Sequence, residues 1–305
     1  MIKRTLFIEN EVYCYLRDAQ FVLEYPTRTG LATSERSVHV PIEDVGMVVL
    51  DHPQISISQS LMAGLFEANV AVVYCDRKHM PIGISQAFSG NHLHQAVCDA
   101  QLSATEPLRK QLWQQTVVAK IQNQANFIAA YTDRDPAALI RFSKNVSSGD
   151  ATNIEGRAAK IYWRLLFDAD RNFVRDAEGL PPNNALNYGY AILRSITARA
   201  LVGSGLLPVV GLFHRNQYNP YCLADDVMEP YRIYVDGIVK QLVDDGTDLC
   251  ELSKEVKLRL VQLSTCDVRI EGKQRPLMVA MQHTTASLAK CFLGKSRRVV
   301  YPNLH

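Results

Sequence analysis

Three short segments place chemistry-bearing side chains inside otherwise apolar, helix-like text. They are SGDATNIEGRAAKIYW around Glu155, GLLPVVGLFHRNQYNPYC with its glycine-rich run ending at His214, and LADDVMEPYR with Asp226 and Glu229. Two carboxylates and a neutral imidazole are donors for a hard or borderline divalent ion such as Mg2+ or Mn2+. No cysteine stands where a zinc site would want one. A site with so few protein ligands leaves positions for water, phosphate oxygens or a hydroxyl nucleophile. Phosphodiester chemistry uses such positions, because a metal there stabilises the attacking and leaving oxygens. Glu155, His214 and the Asp226/Glu229 carboxylates are therefore the candidate metal-binding residues.

Each segment also has a plain structural reading. A helix starting near Asn153 puts Glu155, Ala159, Tyr162 and Leu166 on one face, and Thr152 with Glu155 three residues later forms a capping box. His214 taken alone reads equally as a hydrogen-bonded core histidine. Asp226 and Glu229 share a helix face, and Pro230 is tolerated only in a first turn. A helix is thus expected to begin near Asp225 or Asp226, with Asp226 as its N-cap. A basic stripe of Arg157, Lys160 and Arg164, extended by Arg171 and Arg175 if the helix persists, lies nearly opposite Glu155. It reads as a solvated face or as a surface tracking a DNA backbone. Among the aromatics of these helices, Tyr162 and Tyr188 are candidates to meet bases or ribose, while most of the others are core.

The elements that must carry these residues fall into two blocks. Residues 1–88 read as a β-rich domain with one helix. RTLFIEN, EVYCYLRD, AQFVLEYP, RSVHVPI, VGMVVLD, NVAVVYCD and HMPIGISQAF are strand candidates, and Ile55–Ala68 reads as an amphipathic helix. Residues 89–96 lose this periodicity and read as a linker. Residues 97–305 read as an all-α domain with a long first helix from Glu106. The class is α+β, with a small N-terminal β-domain and a larger helical one.

Of the 305 residues, 47% are hydrophobic and 21% charged, as in a packed protein. The most apolar stretch, 200–213, is short and broken by glycines and Pro208, so no membrane span is expected. MIKRTLFIEN has no apolar signal core, and the expected location is the cytoplasm. Seven widely spaced cysteines without a CxxC argue against a disulfide framework or zinc knuckle. The net charge of +2 hides an asymmetry: residues 1–95 carry 7 basic and 10 acidic groups, the remainder 26 and 21. Any polyanion site is expected in the helical part.

NIEGRAAKIYW, NNALNYGYAILRS, GLLPVVGLFH and DDVMEPYR, in this order and spacing, resemble the CRISPR adaptation integrase, the first of the two core CRISPR-associated adaptation proteins. VPIEDVGMVVLDHPQISIS, ANVAVVYCDRKHMPIG and LWQQTVVAKIQNQA resemble the same family, closest to its branch accompanying type II systems. The resemblance implies a β-domain and a helical domain. It also implies a metal site of Glu155, His214 and Glu229, with Asp226 matching a second acidic position, and a divalent metal, Mg2+ or Mn2+, as cofactor. It implies a homodimer, a small companion adaptation subunit as partner, DNA fragments and the CRISPR repeat as substrates, and association with a type II effector nuclease. The implied reaction is attack of a fragment's 3′-hydroxyl on a repeat phosphodiester. No nucleotide cofactor is needed, and no GxxxxGK[ST] loop occurs. Two other functions fit the residues: a metal-dependent endonuclease on branched or single-stranded DNA without joining, and a non-enzymatic DNA-binding scaffold in which Glu155 and Glu229 are helix caps. The role of the basic terminal segment (Lys290, Lys295, Arg297, Arg298) is left open by the resemblance.

Overall fold

The computed structural model describes residues 3–26, 36–88, 91–167, 173–176 and 178–304. The chain divides into two units, Met1–Gly90 and Asn91–His305. The first is a β-rich unit of two four-stranded sheets. Its elements are β1 (Arg4–Ile8), β2 (Val12–Arg17), β3 (Gln20–Glu24), β4 (Ser37–Pro41), β5 (Val45–Leu50), β6 (Ile55–Ile57), α1 (Gln59–Glu67), β7 (Ala71–Cys75) and β8 (Pro81–Ser85). One sheet runs β1-β5-β7-β8, parallel except for β8; the other runs β4-β3-β2-β6, with β6 parallel to β2. VGMVVL in β5 is buried at every position, as expected of a central parallel strand covered on both faces. Asp18 and Ala19, both at positive φ, close the two-residue hairpin between β2 and β3. The core gathers Val12, Cys14, Phe21, Val48, Leu61, Leu65 and Val72. The expected helix over 55–68 is shorter. Ile55–Ile57 pairs with β2 instead, and Ser58 caps the helix through its side chain, which accepts from the Leu61 N–H.

The second unit holds α2 (His94–Leu102), α3 (Glu106–Tyr131), α4 (Ala137–Lys144), α5 (Ile154–Leu166), α6 (Asn183–Gly203), α7 (Cys222–Met228), α8 (Arg232–Asp244), α9 (Lys254–Val261), β9 (Asp267–Ile270), β10 (Lys273–Pro276) and α10 (Leu277–Phe292). α2 starts inside the stretch read as a linker, of which 89 and 90 lie outside the described residues. α6 buries nearly its whole circumference and is the axis of the unit. Gly189 lets it approach α8: a Cβ there would lie 2.4 Å from Val235 Cγ1. The unit is not all-α. β9 and β10 form an antiparallel hairpin on a Glu271–Gly272 turn with both residues at positive φ. Among the described residues, no helix is long and apolar enough to cross a membrane.

Candidate metal centre

The Glu155 segment is organised by Asp150 and Asn153, not by the expected capping box. The Asp150 carboxylate accepts from the backbone N–H groups of Ile154 (2.8 Å) and Glu155 (2.9 Å). Asn153, in the left-handed region, is the N-cap of α5, its side chain accepting from the Gly156 N–H. With these donors satisfied, the Glu155 side chain has no capping duty. The buried face of α5 is Ile154, Ala158, Tyr162 and Leu166, one residue round from the expected face. This leaves Glu155 at the flank, its side chain 28% exposed.

Glu229 arrives on a different local structure from the one expected. α7 begins at Cys222, before Asp226, and ends at Met228, where the chain tightens into a 3₁₀ turn, Glu229–Tyr231. Pro230 sits in that turn, where its missing N–H costs nothing. Glu229 is the C-cap residue of α7 through its backbone N–H, which donates to the Asp226 carbonyl, but its side chain caps no helix. Its Oε1 is ion-paired with Arg232 Nη2 at 2.9 Å, and its Oε2 lies 2.6 Å from Lys120 Nζ in a geometry too bent for a hydrogen bond. The same Lys120 ammonium also contacts Glu155 Oε1. Two carboxylates from α5 and the 3₁₀ turn thus meet at one cation, presented by α3. Burial works against the charges here. It lowers the affinity of Lys120 for its proton, yet the Glu229 and Glu155 charges outweigh it and hold Lys120 above its ordinary value. Burial likewise pushes Glu229 up, and the Arg232 and Lys120 charges outweigh it to bring it below its ordinary value.

His214 is held by Asp226, which is fully buried. Asp226 Oδ2 accepts from the N–H groups of Leu212 (2.6 Å) and Phe213 (3.0 Å); Oδ1 faces His214 Nδ1 at 2.5 Å. A carboxylate can only accept, so Nδ1 donates and Nε2 carries the lone pair of the neutral ring. The hydrogen bond to Asp226 raises His214 above its ordinary pKa against the effect of burial, helped by the charges of Asp226 and Glu229. Asp226 is therefore not the expected N-cap. Both its oxygens are engaged, and it orients the imidazole as the outer partner of a metal-binding histidine does. The loop is further pinned by buried Gln101, which donates to the carbonyls of Leu207 and Val210 and accepts from the Leu207 N–H, and by Arg109, which donates to the Gly211 carbonyl. Gly211 has no room for a side chain: a Cβ would lie 2.3 Å from the His214 carbonyl oxygen and 3.0 Å from Asp226 Oδ2. Trp113 stacks on Phe213 at 4.7 Å, and both rings meet the imidazole edge-on.

The residues fit a divalent ion in kind. Glu155 and Glu229 already converge on a cation, and one buried Glu229 oxygen lacks a hydrogen bond. Among the described residues, however, no three His, Cys, Asp or Glu side chains stand close enough to ligate an ion as they are. His214 and Glu229 feel each other's charge, while Lys120 takes the position between the glutamates.

The remaining candidates separate. Arg157, Lys160 and Arg164 are exposed along α5, with Arg157 also over the Phe142 ring at 5.0 Å. The stripe stops there: α5 ends at Leu166, Arg171 lies outside the described residues, and Arg175 turns inward to Asn183 and Asn187. Tyr162 and Tyr188 are fully buried and cannot meet DNA. The Tyr162 hydroxyl instead donates to Asp236 at 2.8 Å, which also accepts from Tyr190. The Tyr190 ring in turn lies under Arg232, 4.7 Å from its guanidinium. The terminal segment packs on α3: Thr116 bonds the Tyr301 hydroxyl at 2.7 Å, and Asn123 donates to both the Pro230 and Pro302 carbonyls. Lys120, Gln101 and Phe213 escaped the sequence reading. A lysine in a 26-residue amphipathic helix gives no sign that it is buried.

Residues 7–251 match the family model described as CRISPR associated protein Cas1. The chain is also 34% identical over 289 residues to the CRISPR-associated endonuclease Cas1 of Neisseria meningitidis serogroup C (strain 8013), covering 94% of this chain and 91% of that one. The chain belongs to the CRISPR-associated Cas1 family. Solved structures share the fold: a casposase bound to integration product (TM-score 0.76, 19% identity, 98% of this chain and 92% of that one) and a Cas6-RT-Cas1–Cas2 complex (TM-score 0.73, 18% identity, 99% of this chain and 36% of that one).

Proposed function

We propose that this Cas1 family protein is a metal-dependent DNA integrase that inserts short DNA fragments into a CRISPR array. The 3′-hydroxyl of a fragment attacks a repeat phosphodiester, forming one P–O bond as another breaks. The observation that carries this reading is the meeting of the Glu155 and Glu229 carboxylates at one buried cation position, with His214 held in electrostatic reach. Glu155, Glu229 and His214 Nε2 would hold Mg2+ or Mn2+, which when bound supplies Lewis-acid stabilisation of charge on the phosphate oxygens. Asp226 keeps the proton on His214 Nδ1. Gln101, Arg109 and Gly211 keep the loop where that bond is made, and Arg232 balances Glu229. The exposed Arg157, Lys160 and Arg164 offer a backbone-tracking face on the far side of α5. The integration product named for the casposase neighbour and the complex named for Cas1–Cas2 support DNA joining and a companion adaptation subunit. A homodimer, a cytoplasmic location and association with a type II effector belong to the same proposal.

The scaffold reading needed the Glu155 and Glu229 side chains as caps, and neither side chain caps a helix. The endonuclease reading uses the same residues, and the Neisseria relative's name favours it. One experiment separates joining from cleavage. The protein and its companion subunit are incubated with supercoiled repeat DNA, Mg2+ or Mn2+, and fragments ending in a 3′-hydroxyl or a dideoxy terminus. Joined products from the hydroxyl fragment alone are expected; nicked repeat DNA without joining from either fragment would overturn the integrase reading.

A further inference from the structure

Lys120 stands where the metal reading would place the ion. It lies on α3, buried, with its ammonium against Glu155 Oε1 and 2.6 Å from Glu229 Oε2. Glu229 is also paired with Arg232 at 2.9 Å. The four side chains form one continuous string of ion pairs, two positive and two negative, in a region where uncompensated charge is costly. A divalent ion added to this balanced set would leave it with a surplus of two positive charges. It would also compete with the ammonium for the same carboxylate oxygens. Either the ammonium must leave, or a polyanion must arrive to offset the surplus.

We propose that Lys120 is a built-in counter-ion that occupies the cation position in the DNA-free protein, so that divalent metal binds weakly until DNA phosphate joins it. This rests on the reading of Glu155 and Glu229 as metal ligands. Metal and DNA then bind cooperatively, because each offsets the charge the other brings. The free protein is kept from holding a loaded metal centre without its substrate. Lys120 acts on the metal through the two carboxylates it holds, and is a positioning residue.

The test is Mn2+ binding, read as loss of the free-ion signal in electron paramagnetic resonance, for wild-type protein and Lys120→Met, each with and without a fragment duplex. Wild-type protein is expected to gain at least tenfold in Mn2+ affinity when DNA is added. Lys120→Met is expected to bind Mn2+ without DNA at least tenfold more tightly than wild type, with a smaller DNA effect. Equal DNA-free affinity in the two proteins would overturn the counter-ion role and leave the metal reading standing. Failure of both proteins to bind Mn2+ under every condition would overturn the metal reading, and the counter-ion with it. Wild-type protein alone gives a second readout that needs no folded variant. Acetylation of Lys120, followed by mass spectrometry, is expected to be slow in metal-free protein and to rise at saturating Mg2+ without DNA. Unchanged protection in Mg2+-loaded protein would contradict the displacement.

Discussion

Replacing Asp226 by Asn changes one atom and reverses one hydrogen bond. The amide oxygen can take the place of Oδ2 and accept from the Leu212 and Phe213 N–H groups at 2.6 and 3.0 Å. The opposite orientation would set an NH2 group against those two donors. The amide nitrogen must then occupy the Oδ1 position, 2.5 Å from His214 Nδ1 in the native protein, and donate to it. Nδ1 becomes the acceptor, and the ring proton moves to Nε2, removing the lone pair a metal would use. A hydrogen bond to a charged group is worth about 1.5–3 kcal/mol. The tautomer ratio should thus shift by roughly 10- to 150-fold, at about 1.4 kcal/mol per tenfold. Loss of such an outer partner costs about 10- to 100-fold in metal affinity. Asp226→Asn should therefore stay folded, losing about 1–3 kcal/mol of stability. It should show the Nε2–H tautomer in long-range 15N correlation spectra and fall at least tenfold in strand transfer. An Asp226→Asn protein that keeps Nδ1–H and joins DNA at the wild-type rate would refute the reasoning.

Other perturbations test separate parts of the account. Asp150→Ala should cost about 1–2 kcal/mol through loss of its two hydrogen bonds to the first turn of α5, while Thr152→Ala should stay within about 0.5 kcal/mol, both read by urea denaturation. Equal costs would restore Thr152 as the cap. Gly211→Ala should lose about 1–3 kcal/mol by overpacking against the His214 carbonyl and Asp226, and should abolish joining while helical circular dichroism persists. Burial pushes Asp236 up to about 6 from an ordinary 3.8, against the Tyr190 and Tyr162 hydrogen bonds and the Arg232 and Lys120 charges. Its folded pKa exceeds its unfolded one, so its contribution to stability is fully present below about pH 4 and lost as the pH rises through 6. The whole effect is about 3 kcal/mol. Urea denaturation from pH 4 to 8 should show this decline, and Asp236→Asn should flatten it; an unchanged slope would remove Asp236 as its source.

The two blocks were readable because their periods differ. Alternating β-branched and aromatic residues mark β1 to β5, while apolar spacing of three and four marks α3, α5 and α6. Errors arose where a local pattern admits two solutions. Ile55–Ile57 fits the start of an amphipathic helix, but its backbone is taken by β2. Thr152 and Glu155 spell a capping box, but Asp150 takes the Glu155 N–H that the Thr152 side chain would need. The Glu271–Gly272 hairpin lacks the Asn-Gly or Asp-Gly signature that announces a two-residue turn. In the candidate site, the acidic and histidine positions were visible as polar interruptions of apolar text. Their division of labour was not, because only the fold brings both Asp226 oxygens to the 212–214 loop. Tyr162 and Tyr188 looked available because an aromatic on a helix has no sequence mark separating core from surface. Lys120 was invisible for the converse reason. A lysine reads as solvated until two distant carboxylates are seen to close over it.

The central claim is that Glu155, Glu229 and His214 form one divalent-metal centre. Anomalous scattering from crystals grown with Mn2+ and a fragment duplex tests it most directly. The expected result is a single strong peak at about 2.0–2.3 Å from an oxygen of Glu155, an oxygen of Glu229 and His214 Nε2, with Lys120 displaced. Mn2+ bound elsewhere, or a Lys120 ammonium still seated between the two glutamates in the DNA complex, would contradict it.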